Sequence, residues 1–146
     1  MGIEKILDNK ILWISVLAWF VAQAIKIVIN FVKYHKMDFK LIISSGGMPS
    51  SHSSFVVSMT VSIGQKLGYD SPLFALSTIM SLVVMYDAAG VRRAAGQQAV
   101  VLNKIMDEFK SNTLNVEKRL KELLGHTPVE VAAGALLGIV IALIFS

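Results

Sequence analysis

Two short histidine motifs are the parts of this 146-residue chain whose side chains could do chemistry. Residues 46–53 read GGMPSSHS and residues 125–130 read GHTPVE, so each places a histidine where a polar turn meets the start of an apolar helix. Free N–H groups at a helix start can hold anions, and imidazole can transfer a proton or attack phosphorus near neutral pH. Because the chain has only three histidines, the two motifs predict a shared phosphate site.

The first motif carries residues suited to an anion. Gly46 and Gly47 allow the backbone to aim consecutive N–H groups at a ligand. Pro49 can occupy the first helical turn, and Ser50 and Ser51 can cap the helix or donate to phosphate oxygens. The alternative is an ordinary helix start with capping serines and a histidine at the membrane interface.

The second motif also has two interpretations. Thr127 and Glu130 fit a capping box, in which the glutamate is wholly structural. Glu130 also follows His126 by four residues, a spacing at which a carboxylate can orient an imidazole. The same helical row continues through Gly134 and Gly138, a small-residue face that favours close helix packing and could serve a homodimer.

Four further polar residues are expected at the same membrane face. Lys26 lies on a polar stripe of the first apolar run and is either a site residue or a lysine that snorkels to the interface. Asp87 would be costly near a helix end unless paired with a cation, and could orient one. Arg92 and Arg93 can bind phosphate oxygens in bidentate fashion or simply anchor the chain at the cytoplasmic face.

The composition places these motifs in a membrane protein. The chain is 54% hydrophobic and 16% charged. Its apolar run at residues 11–32 can cross a bilayer core of about 30 Å, and others follow at residues 55–67, 72–89 and 129–145. We therefore predict one all-α domain, residues 1–146, that forms an integral membrane bundle of about four crossing helices. The second helix is short and serine-rich, which favours a place among the others rather than against lipid.

Charge predicts the orientation of the bundle. Four crossings place residues 33–51 and 92–125 on one side, and ten of the fourteen Lys and Arg residues fall there. The positive-inside rule makes that side cytoplasmic, so both histidine motifs should face the cytoplasm of a bacterial cytoplasmic membrane. Within the second segment, apolar residues at helical spacing before and after residues 111–115 predict an amphipathic hairpin on the membrane surface or over the site, or a solvated connection.

A family resemblance rests on these motifs. Residues 49–52, Pro-Ser-Ser-His, resemble the Pro-Ser-Gly-His motif of the type 2 phosphatidic acid phosphatase and vanadium haloperoxidase superfamily, with Ser51 in place of glycine. His126 and Glu130 resemble its later His-x-x-x-Asp motif, with glutamate in place of aspartate. Together with residues 87–98, the whole chain resembles a small divergent branch described as acid phosphatase/vanadium-dependent haloperoxidase-related membrane proteins.

The resemblance implies a role for each motif. In the superfamily the later histidine becomes phosphorylated and the earlier one protonates the leaving group, without a metal. By position, His126 would be the nucleophile, Glu130 its orienting carboxylate and His52 the general acid. The superfamily's serine–arginine pair six residues before the nucleophile is absent here, so other residues would hold the phosphate. These are Lys26, Ser50, Ser51, Arg92 and Arg93.

Two function classes follow from the sequence. The leading hypothesis is a membrane phosphatase that acts on a lipid phosphate or a polyprenyl pyrophosphate, with no metal or other cofactor and no nucleic-acid partner. The alternative is a non-catalytic binder or transporter of phosphorylated lipids that keeps the anion pocket. An alcohol phosphatidyltransferase is disfavoured because that chemistry needs several aspartates around a divalent metal, and only Asp87 lies in this region of the sequence.

Overall fold

The computed structural model describes residues 2–35, 47–110 and 125–146, and every regular element in those ranges is a helix. The all-α membrane fold is therefore confirmed, and the four apolar runs of the sequence correspond to α2, α3, α4 and α6. The helices are α1 Ile3–Leu7, α2 Lys10–Tyr34, α3 Ser51–Leu67, α4 Pro72–Ala89, α5 Val91–Lys110 and α6 Pro128–Phe145.

Side-chain caps determine where the four bundle helices begin. Asn9, Ser50, Ser71 and Thr127 each accept a hydrogen bond from a backbone N–H in the first turn of α2, α3, α4 and α6, respectively. Such a cap contributes about 1 kcal/mol. Pro49 was expected inside the first turn of α3 but precedes the cap, because the serine that follows it supplies the capping oxygen.

The centre of the bundle is α3, against which α2, α4 and α6 all pack. Its buried face consists mainly of serine, threonine and glycine, and such small residues let neighbouring backbones approach closely. Its hydroxyl groups bind across helices: Ser54 Oγ donates to Ala18 O at 3.0 Å, and Thr60 Oγ1 lies 2.8 Å from Ser81 Oγ. The short polar helix is thus placed among the others, as the sequence predicted.

Within the described residues, three stretches are long and apolar enough to cross a membrane: Lys10–Val32, Pro72–Asp107 and Pro128–Phe145. Helix α3 is not among them, since its 17 residues extend about 25 Å at 1.5 Å per residue. The count of four crossings is therefore approximate, with three apolar stretches arranged around a shorter polar helix.

Helix α5 follows α4 with only Gly90 between them. It exposes Val101, Leu102 and Ile105, which agrees with the first half of the amphipathic segment. The second half of the expected hairpin, at residues 111–124, lies outside the described residues.

Helix α6 meets α3 through its two glycines. A Cβ at Gly134 would overlap the carbonyl oxygen of Ser50, and a Cβ at Gly138 would lie 2.6 Å from the carbonyl oxygen of Ser54. Only glycine allows this approach, so the predicted packing face is used within the chain. The homodimer expected through this face stays a prediction that the packing does not support.

Candidate phosphate site

The two histidine motifs lie side by side. The backbone N–H of Ser50, at the start of α3, donates to the carbonyl oxygen of Glu130, in the first turn of α6, at 2.9 Å. This link brings His52 and His126 together, with ring centroids 5.9 Å apart and ring planes at 67°. His126 is fully buried and His52 is half-buried. The shared site predicted from the motifs therefore has a geometric basis in the contact between α3 and α6.

A single carboxylate oxygen serves both the cap and the histidine. Oε2 of Glu130 lies 3.1 Å from His126 Nδ1 and accepts the backbone N–H of Thr127 at 3.0 Å. Thr127 Oγ1 accepts the N–H of Glu130 at 3.3 Å, which completes the capping box. The two interpretations of Glu130 are therefore compatible. A carboxylate at Nδ1 favours the tautomer that carries its proton there, which leaves the lone pair on Nε2.

The backbone of His126 is fixed to the end of α4. Its N–H donates to the carbonyl oxygen of Ala88 at 3.1 Å, one of the terminal carbonyls that an α-helix leaves without a helical partner. The adjacent Asp87 is half-buried in the last turn of α4. Arg92 and Arg93 lie in the first turn of α5, but their side chains are outside the described residues.

Lys26 is turned into the bundle rather than toward the membrane surface. Its side chain is 3% exposed, and its Nζ is buried without a hydrogen-bond partner among the described residues. Gly47, with φ +90°, lies on its aliphatic stem, so close that a Cβ there would be 3.3 Å from Lys26 Cγ. A buried Nζ does not fit a lysine that snorkels to the interface, and the contact with Gly47 places the stem of Lys26 beside the first histidine motif.

The electrostatics of this cluster favour an anion. An ammonium group held out of water without a partner costs several kcal/mol. The starts of α3 and α6 add partial positive charge, and the N–H groups of Ser51 and His52 lie in the first turn of α3, where helical partners are lacking. The carboxylate of Glu130 opposes this positive charge. A phosphate group beside Lys26 would supply the missing negative charge.

The two serines of the first motif differ in use. Ser50 Oγ accepts from the N–H of Ser53 at 3.4 Å and from the hydroxyl of Ser53 at 3.1 Å, so its oxygen serves the helix cap. Ser51, the first residue of α3, is 3% exposed. Its backbone N–H lies in the first turn, where a helix provides no acceptor, and is therefore a candidate for a phosphate contact.

Sequence reasoning missed the backbone links that assemble the site. Neither the bond from Ser50 to Glu130 nor the bond from His126 to Ala88 has a local signal, because each joins residues distant in sequence. The paired glycines of the first motif indicated a close backbone approach, but not that Gly47 would contact Lys26. Among the described residues, no group of three His, Cys, Asp or Glu side chains is arranged to hold a metal ion.

Comparison with known proteins places the chain in a family. The family model described as "Divergent PAP2 family" matches residues 7–141. The chain is also similar to a protein named "Uncharacterized membrane protein YuiD" from Bacillus subtilis (strain 168), with 42% identity over 153 aligned positions that cover 97% of each chain. No solved structure matches it. On the strength of the family match, which includes both histidine motifs, the chain belongs to the divergent PAP2 family.

Proposed function

We propose that this protein is a membrane phosphatase that hydrolyses a lipid phosphate monoester or a polyprenyl pyrophosphate through a phosphohistidine at His126. Membership of a phosphatase-related membrane family supports this proposal. The observation that carries it is the pairing of His52 with His126 at the start of α3, together with the buried Lys26, whose stem lies on Gly47 of the first motif and whose Nζ has no hydrogen-bond partner among the described residues. Phosphoryl transfer through histidine needs these three functions: a nucleophile, an acid and a cation.

The proposed reaction has two steps. In the first, Nε2 of His126 attacks phosphorus while His52 gives its proton to the departing oxygen, which breaks the P–O bond. A monoester releases the lipid alcohol in this step, and a pyrophosphate, attacked at its terminal phosphorus, releases the prenyl monophosphate. In the second, neutral His52 takes a proton from water as that water attacks the phosphohistidine, which releases inorganic phosphate and restores both rings. Glu130, at 3.1 Å from Nδ1, supports the positive charge that develops on the His126 ring.

The spacing of the rings is compatible with this chemistry. A nucleophile approaches phosphorus to about 3–3.5 Å, and an acid hydrogen-bonds to the leaving oxygen at about 2.6–3.2 Å. With the P–O bond of about 1.6 Å included, a nucleophilic and an acidic nitrogen on opposite sides of one phosphoryl group are about 7–8 Å apart. The ring centroids of His52 and His126 lie 5.9 Å apart, so the nitrogens reach this separation with a small movement of the rings.

The site is proposed to face the cytoplasm of a bacterial cytoplasmic membrane. The support is the distribution of Lys and Arg in the sequence together with the positive-inside rule. Phosphatidic acid and polyprenyl pyrophosphate in the inner leaflet would then present their phosphates at the depth of the site.

The test is phosphate release from phosphatidic acid and from a polyprenyl pyrophosphate by purified protein in mixed micelles. Three matched substitutions are compared: His126→Asn, His52→Asn and, as the control, His35→Asn. His35 is the exposed C-cap of α2, with φ +50°, a conformation that asparagine tolerates. We expect the control to keep full activity, His52→Asn to lose about 100- to 10,000-fold, the range for general acid catalysis, and His126→Asn to lose all turnover.

Protein quenched in alkaline denaturant should also carry an acid-labile, base-stable phosphohistidine that disappears in His126→Asn. Equal turnover by His126→Asn and the wild type would refute the mechanism. Absence of phosphate release, combined with orthovanadate binding that requires Lys26, would instead support the alternative of a non-catalytic lipid phosphate binder.

A further inference from the structure

An apolar groove runs along the outside of the bundle between α4 and α6. Both helices pack on α3 and meet each other little, so an opening of about 650 Å³ remains between them. This volume lies in the range of about 300–1,000 Å³ that is typical of ligand pockets. The walls are Leu82, Val83 and Tyr86 from α4 and Pro128, Val131 and Ala132 from α6.

One end of the groove lies at the two helix ends that hold His126. The groove residue Ala89 follows Ala88, whose carbonyl oxygen holds the backbone of His126 at 3.1 Å. The groove residue Pro128 lies two positions before Glu130, whose carboxylate holds the ring of His126. The groove therefore continues from the end of α4 and the start of α6, which are the same two helix ends that position His126.

We propose that this groove holds the hydrocarbon chain of the phosphorylated lipid whose headgroup lies at Lys26 and His126. The placement of the headgroup rests on the proposed function. Leu82 and Ala89 are seven residues apart, which is about 10 Å along a helix, so the groove takes the headgroup-proximal part of one chain. Because the groove lies between two apolar stretches that can cross a membrane, a lipid enters it sideways without leaving the bilayer.

The groove contributes by positioning the lipid chain rather than by binding it with hydrophobic affinity. Lipid tails are as apolar as the groove lining, so transfer of a chain from bilayer to groove gains little free energy. Selectivity for the phosphorylated lipid must come from the charged end. The groove then acts by aligning the ester bond with His126, an effect of the kind that raises rates through orientation.

The experiment uses nanodiscs of phosphatidylcholine that contain the full chain and a photoreactive lipid. The probe is phosphatidic acid with a diazirine near the glycerol end of one chain, and phosphatidylcholine with the same labelled chain is the reference. Cross-linked residues are located by mass spectrometry, and phosphate release is measured in the same preparation. The variants are Lys26→Met, Ala132→Trp in the groove and Val140→Trp as the matched control, exposed on α6 about 12 Å further along.

We expect the phosphatidic acid probe to label the groove at least tenfold more than the reference probe. Lys26→Met should abolish that excess, Ala132→Trp should lower it at least fivefold, and Val140→Trp should leave it unchanged. Equal labelling by the two probes, or labelling that persists in Ala132→Trp, would overturn the inference, since the groove would then hold ordinary boundary lipid. Headgroup-dependent labelling without phosphate release would refute the proposed hydrolysis but leave this binding mode intact.

Discussion

The carboxylate of Glu130 has two partners on one oxygen, and a single substitution can separate its two roles. In Glu130→Gln the amide oxygen can take the position of Oε2 and still accept from Thr127 N–H and from His126 Nδ1, which now lie at 3.0 and 3.1 Å. The cap is thus kept and the negative charge is lost. If Glu130 is a positioning residue for catalysis, turnover must fall.

The size of the fall follows from the type of bond. A hydrogen bond to a charged group contributes about 1.5–3 kcal/mol and a neutral one about 0.5–1.5 kcal/mol. The difference of about 1–1.5 kcal/mol, applied to the charged His126 ring of the transition state, lowers kcat by about 5- to 13-fold. KM should not rise, because removal of a carboxylate removes repulsion of the phosphate. The free energy of unfolding should fall only by about 0.3–1 kcal/mol, the loss of a charge at a helix N-terminus.

Thr127→Val is the matched control. It removes the other half of the capping box, in which Thr127 Oγ1 accepts from Glu130 N–H at 3.3 Å, and leaves the contact of Glu130 with His126 in place. We expect a loss of about 1 kcal/mol of stability and a kcat within twofold of the wild type. The assay is steady-state phosphate release together with thermal unfolding in the same detergent. A wild-type kcat for Glu130→Gln would refute the reasoning and make Glu130 a cap alone.

Three other predictions address the ammonium group, the packing and the orientation. Lys26→Met should bind orthovanadate at least tenfold more weakly while its thermal midpoint does not fall, because the substitution removes a buried charge that has no hydrogen-bond partner among the described residues. A lower midpoint would indicate a structural role instead. Gly134→Ala should lose about 1–3 kcal/mol by overpacking, whereas Gly2→Ala, whose Cβ would meet nothing within 4 Å, should unfold like the wild type; equal midpoints would contradict the close approach of α6 to α3. Because the chain has no cysteine, single cysteines can report the orientation. Lys66→Cys should react with an impermeant thiol reagent from outside the cell, and Lys104→Cys should react only after lysis. The reverse pattern would place the site on the outer face.

Local features of the fold were predictable from the sequence. The apolar run at residues 72–89 is the helix Pro72–Ala89, since a serine cap, a proline at the first position and a following glycine mark its ends. The capping box of α6 was equally readable, because its residues lie within four positions of each other. The buried position of α3 followed from its serines, which are unfavourable against lipid.

The candidate site was predictable as a set of residues but not as an arrangement. Both interpretations of Lys26 were compatible with its place on α2, since a lysine one or two turns from a helix end can either reach the interface or turn inward. Its inward position depends on Gly47, whose backbone lies on the lysine stem. Ser50 could have been a phosphate ligand or a cap, and its bonds with Ser53 make it a cap.

The histidine motifs also combine features that the sequence determines with features that only the tertiary structure determines. The sequence determines their composition, their places at helix starts and their expected side of the membrane. These are properties of short segments and of charge counts, and they do not depend on how the helices pack. The approach of His52 to within 5.9 Å of His126 depends on α6 lying against α3 at Gly134 and on the backbone bond from Ser50 to Glu130. Such contacts join residues far apart in the chain, and they form only when the backbones of the bundle come close enough to bond.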